Sequence, residues 1–181
     1  MSKTQREMSV SFNGFSTRPA RRLTDLTDAV RGAVAVHTDW ATTARLVTEQ
    51  LRTHLPAPDL LTAEQRLGSP ESYVGHTLYV EPDGSFSIVG LVWRPGQITR
   101  IHDHVTWCVL GVIQGVEHEE LFDANLNLIG CRDNRAGDVD GFAPPGDIHR
   151  IRNNTETTAI SIHVYGTDVA RLGGSARRYY D

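Results

Sequence analysis

The chain has 181 residues, enough for one domain with its own core and no need of a disulfide or structural zinc. Its 39% hydrophobic and 22% charged residues are ordinary for a soluble globular protein, and a net charge of −4 gives no electrostatic footprint for nucleic acid or an anionic membrane. Two cysteines are too few for a disulfide framework, and no secretory apolar segment or run of ~20 apolar residues appears, so a cytoplasmic enzyme or binding protein is the expectation.

Residues 1–20 are polar and aperiodic, which predicts a flexible arm ahead of one domain over 21–181. Within it, a helical cap is expected over about 21–70, a β-barrel over about 73–166 and a C-terminal tail beyond. Leu23, Leu26, Ala29, Val30, Ala33 and Val34 recur at helical spacing, with Thr24 or Thr27 as the cap. A second helical pattern runs over 39–54, with Asp39 as N-cap and Ala41, Leu46, Val47 and Leu51 inward; Pro56 and Pro58 end it. A short third helix is expected around 62–66.

From Tyr73 the texture changes to short runs of Val, Ile, Tyr and Phe separated by Gly, Pro, Asp and Asn. Strands are predicted near 74–81, 86–93, 99–104, 106–114, 116–123, 126–132, 138–142, 147–153 and 157–165. Many short strands with regular turns predict a mainly β chain, a jelly roll or barrel whose closure protects its edges.

Three of the eight histidines carry metal-ligand spacing. His102 and His104 stand two apart on a predicted strand, so both imidazoles share a face, and a barrel can bring His149 opposite them. Three nitrogen ligands on one side of a metal leave open positions for substrate or oxygen. Taken alone, His-x-His also reads as a surface accident or a satisfied core pair. Ser161, His163 and Tyr165 alternate on a later strand, and a hydroxyl, an imidazole and a phenol on one face can satisfy one another in sequence; a solvent-facing polar edge would give the same pattern. His118 with Glu117, Glu119 and Glu120 reads as a solvated edge, His37 and His54 as surface or satisfied residues of the cap, and Cys131 as a free thiol.

Context sharpens the histidines. Gly96, five residues, His102-Asp103-His104, ten residues and Gly115 resemble the first motif of the cupin superfamily. Gly137, Pro144-Pro145-Gly146, two residues, His149, three more and Asn153 resemble the second. The resemblance covers about 73–165 and implies a cupin double-stranded β-helix with a metal inside. Where the first motif usually places a glutamate ligand this chain has Cys108. With that change and the Ser161-Ile162-His163-Val164-Tyr165 strand, the chain resembles the thiol dioxygenases of the cysteine dioxygenase and 3-mercaptopropionate dioxygenase type. The resemblance implies one Fe(2+) per chain on His102, His104 and His149, and conversion of a small thiol and O2 to a sulfinic acid. It implies a Ser161–His163–Tyr165 relay and a thioether between Cys108 and Tyr165, which some members carry and others lack.

In the cysteine-specific branch an arginine on an early strand holds the substrate carboxylate, and that position falls on His76, which cannot make a bidentate fork. In the 3-mercaptopropionate branch an arginine beyond the relay strand does this, with Arg171, Arg177 and Arg178 as candidates here. A small thiol carboxylate is the first-choice substrate, acting in a monomer or homo-oligomer with no nucleic-acid or membrane partner. A cupin using Mn, Ni or Zn for other chemistry and a non-catalytic small-ligand sensor are the alternatives.

Overall fold

The computed structural model describes residues 18–180. Residues 1–17 of the expected arm lie outside the described residues, and 18–20 belong to the first helix, α1 (Arg18–Val34). Thr24 and Thr27 therefore sit inside α1 rather than at its start, with Thr27 buried in the helix–sheet interface. The second helix, α2 (Trp40–Thr53), begins as its sequence requires: Asp39 is the N-cap and its carboxylate accepts from the Thr42 backbone N–H. Its inward face is Thr43, Ala44, Val47 and Leu51; Ala41 is exposed, one position off the buried stripe. The expected third helix is replaced by two single 3₁₀ turns, Pro58–Leu60 and Gln65–Leu67.

Ten strands follow: β1 (Val74–Val80), β2 (Ser87–Trp93), β3 (His102–His104), β4 (Cys108–Gln114), β5 (Val116–Phe122), β6 (Leu128–Arg135), β7 (Val139–Phe142), β8 (His149–Arg152), β9 (Ala159–Tyr165) and β10 (Ala176–Tyr179). A four-residue helix, α3 (Val169–Leu172), links the last two. One antiparallel sheet runs β1-β2-β9-β4-β7 and the other β10-β3-β8-β5-β6. Apart from the β1–β2 and β5–β6 hairpins, chain neighbours alternate between the sheets, so the chain winds into a double-stranded β-helix. Nine of these strands lie where alternation and turn residues predict them. The tenth replaces part of the expected tail, because Arg177 and Arg178 are drawn onto β3 by Asp103.

The first sheet has two buried faces. Its outer face packs on the cap: Leu26, Val30, Val47 and Leu51 meet Ile88, Val92, Val109, Ile160, Ile162 and Val164 in one cluster. Burying each such side chain contributes ~1.5–3 kcal/mol, which makes this the dominant core. Gly111 permits the close approach, since a Cβ there would lie 2.5 Å from Leu55 Cδ1. Gly115 turns β4 into β5 at φ 73°, with Ala159 Cα only 2.9 Å from where a side chain would begin. The inner face, left for the odd-numbered residues of β9, is the site.

Candidate metal centre

His102 and His149 are direct partners across β3 and β8, and His104 follows on the same face of β3. All three are buried, and one ring nitrogen from each lies within 4.8 Å of the others, so the trio can hold a metal ion. Each Nδ1 is already engaged. His102 Nδ1 donates to the Arg100 carbonyl at 2.9 Å, His104 Nδ1 to Asp147 at 3.2 Å and His149 Nδ1 to Glu119 at 2.7 Å. Carbonyl and carboxylate oxygens only accept, so the imidazole proton is fixed on Nδ1 and Nε2 is left with its lone pair. Burial, then the neighbouring His149 and His104, push the His102 imidazolium down to about 3; His104 is lowered by burial as well. Neutral imidazoles with aimed lone pairs are the donor set that a divalent metal requires.

The carboxylates that aim them are anchored in turn. Glu119 is fully buried; burial opposes its charge, but His149 and Arg132 hold it down to about 2. Arg132 reaches it at 2.6 Å and Asn134 at 3.2 Å. Asp147 also accepts the His104 backbone N–H at 2.8 Å. Glu117 and Glu119 are thus not a solvated edge: period-two alternation on β5 turns both into the barrel, while His118 faces outward to Asp133. That alternation was the available signal, masked by the charge of its residues. Asp147, at the start of the strand expected over 147–153, was missed too, because its tie to His104, 43 residues away, shows only in the fold.

Across the barrel, all seven residues of β9 are buried. A solvent-facing polar edge is therefore ruled out, since Ile160, Ile162 and Val164 pack on the helical cap. Ser161 Oγ lies 2.9 Å from His163 Nε2, and Tyr165 OH 3.2 Å from His163 Nδ1. The Tyr165 ring stacks 6.4 Å from that of His104, so the row ends at the three histidines. Cys108 is the direct β-partner of Tyr165, with its Sγ 3.8 Å from His163 Nδ1. Burial pushes both the Cys108 thiol and the Tyr165 phenol well above their ordinary ranges.

No family model matches the chain. Among solved structures, oxalate oxidase in complex with glycolate is 17% identical with a TM-score of 0.46, over 55% of this chain and 53% of that one. This chain thus spans about half of the oxalate oxidase chain. A protein from Thermus thermophilus gives 18% and 0.47, over 59% of this chain and 96% of its own. A Klebsiella pneumoniae protein described as carrying a double-stranded β-helix domain gives 19% and 0.47, over 57% and 84%. These are likenesses of fold alone; the fold stands on the strand order above.

A cavity of about 410 Å³ opens onto the three histidines, His163 and Tyr165. Val89, Leu91, Trp93, Ile151 and Val169 give it apolar walls, and Tyr73, Thr77, Thr99, Ser175 and Tyr179 bring hydroxyls. Among the described residues no arginine or lysine lines it, and the four candidate substrate contacts lie elsewhere. Gly75 and Thr77 face the cavity, so the intervening His76 points to the other side of β1. Arg171 is exposed on α3. Arg177 and Arg178 both bind Asp103 Oδ2, at 2.5 and 2.6 Å, on the face of β3 opposite the metal ligands. Among the described residues no helix is long and apolar enough to cross a membrane.

Proposed function

We propose that this chain is a mononuclear non-haem Fe(2+) thiol dioxygenase, converting a small thiol and O2 to the sulfinic acid. The observation that carries the reading is the pairing of an all-histidine ligand set with a buried tyrosine hydroxyl facing the same cavity. In the balanced reaction two S–O bonds form, the O–O bond breaks and the thiol proton ends on the sulfinic acid. Iron held by His102, His104 and His149 would supply the redox chemistry that joins dioxygen to sulfur.

The protein's own part is positioning. Three neutral imidazoles leave the metal's charge undiminished, which favours an anionic thiolate over a neutral ligand. Trp93, Leu91, Val89 and Ile151 exclude water and strengthen every polar contact inside. The Tyr165 hydroxyl is held by His163, and a preorganised donor of this kind is typically worth ~2–4 kcal/mol toward developing charge. With no guanidinium in the described cavity wall, the far end of the substrate meets the hydroxyls of Tyr73, Thr77, Thr99, Ser175 and Tyr179. A thiol carboxylate such as 3-mercaptopropionate would be held by hydroxyl donors rather than by an arginine fork.

The absence of that fork favours a second reading, a metal-dependent cupin enzyme acting on a non-thiol substrate. Reconstitution with Fe(2+), Zn(2+), Mn(2+) or Ni(2+), each followed by oxygen uptake with 3-mercaptopropionate, cysteine, cysteamine and mercaptosuccinate, separates the two. The proposed function predicts thiol-stimulated uptake by the iron form alone. No stimulation by any thiol would leave the second reading.

A further inference from the structure

One buried group behind the relay has no part in holding the metal. Glu117 on β5 is fully buried in the barrel interior, and neither of its carboxyl oxygens closes a hydrogen bond. It faces the Ser161 hydroxyl from β9 and the Trp93 indole N–H from β2, which is itself unpartnered. The other titratable groups that act on it or feel its charge are Glu119 on its own strand, Cys108 on β4 and Tyr165 on β9; Arg132 on β6 and His149 on β8 reach it only through Glu119, and His163 on β9 only through Ser161. Glu119 is kept ionised by Arg132 and His149, so a second buried negative charge two residues away is unfavourable. Burial, reinforced by Glu119 and opposed by Ser161 and Trp93, pushes the Glu117 carboxyl up to about 7.

Glu117, Ser161, His163 and Tyr165 therefore form a row whose every inner member can either donate or accept. We infer that Glu117 is a positioning residue that sets the direction of this row, and so decides whether Tyr165 presents a proton or a lone pair to the metal cavity. With a proton on Glu117, its carbonyl takes the donor-only Trp93 N–H and its O–H donates to Ser161. Ser161 then donates to His163 Nε2, His163 Nδ1–H donates to the Tyr165 oxygen, and the Tyr165 O–H is released toward the cavity, where Ser175 faces it. When Glu117 ionises, Ser161 donates to it instead. His163 then carries its proton on Nε2, and the Tyr165 O–H is consumed by Nδ1. His163 itself stays neutral throughout, since burial and then His104 and His149 push its imidazolium down to about 3. It therefore changes tautomer, not charge.

The consequence for catalysis rests on the proposed function, but the direction of the row is a property of the protein without metal. The test is ¹⁵N-histidine NMR of the metal-free protein, from about two units below to about two units above the Glu117 midpoint. In wild type the His163 proton is expected to pass from Nδ1 to Nε2 as the pH rises, with its midpoint near 7. E117Q, whose carbonyl is oriented by Trp93 and whose amide donates to Ser161, should hold the Nδ1–H tautomer at every pH. S161A cuts the row and should leave His163 insensitive to this transition. A wild-type tautomer that never changes, or one that changes identically in E117Q or S161A, would overturn the inference. Oxygen uptake reads the other question: a tautomer switch without thiol-dependent uptake removes the proposed function and leaves the role of Glu117 standing.

Discussion

The two sheets of the barrel treat their buried histidines in opposite ways. In the sheet that carries β3 and β8, the Nδ1 of each of the three buried imidazoles meets an oxygen that only accepts: the Arg100 carbonyl, Asp147 or Glu119. One tautomer is fixed and one lone pair is aimed. In the facing sheet, His163 lies between two hydroxyls, Ser161 and Tyr165, each able to donate or accept, with the Cys108 thiol beside its Nδ1. The first arrangement suits a ligand, whose basicity must not fluctuate; the second suits a group that passes on direction. A metal and a proton relay can therefore share one cavity without competing for the same nitrogens.

Breaking the fixed side should have the largest effect. H102A, or equally H149A, is expected to abolish metal binding, read as metal content per chain after dialysis. Disturbing the relay comes next: Y165F should keep its metal and lose roughly 10²-fold in turnover, because one preorganised donor is gone. Metal analysis beside the rate separates it from the first class. E119Q should weaken metal affinity by ~10–100-fold while leaving the three ligands in place, since His149 loses its ionic acceptor. A metal-affinity titration measures this. Intact mass of the denatured protein reads the Cys108–Tyr165 pair, direct partners across β4 and β9: the thioether that the family resemblance implies, made with dioxygen as the two-electron oxidant, would leave a fraction two hydrogens lighter, which C108A removes. The smallest effect belongs outside the cavity. R177A should lower the thermal midpoint only slightly, because Arg178 and Tyr180 still bind Asp103, and should leave substrate affinity unchanged.

Much of this plan was legible in the sequence because the signals were local. His102 and His104 share a face by strand parity, and Asp39 caps α2 where side-chain chemistry demands. Glycine spacing located both motifs. What was not legible depends on partners distant in the chain. β10 reads Ala176-Arg177-Arg178-Tyr179 with no apolar alternation; it becomes a strand only because Asp103, 74 residues from Arg177, gathers its guanidinium groups. Glu117 and Glu119 look solvated until neighbouring strands close over them. His76 stands at the family's arginine position in the sequence, but facing is decided by strand parity, which gives the cavity to Gly75 and Thr77. An arginine in a sequence motif identifies a charge; it does not say which face of a sheet will hold it.

The central claim is that a metal on three neutral histidines, beside a directed tyrosine, oxidises a thiol with dioxygen. The most direct test supplies ¹⁸O₂ to the iron-loaded protein with the thiol panel and measures the product by mass spectrometry. The account predicts a sulfinic acid carrying both labelled oxygens, formed in step with oxygen consumed. A disulfide, an unlabelled product or no product from any thiol would contradict it.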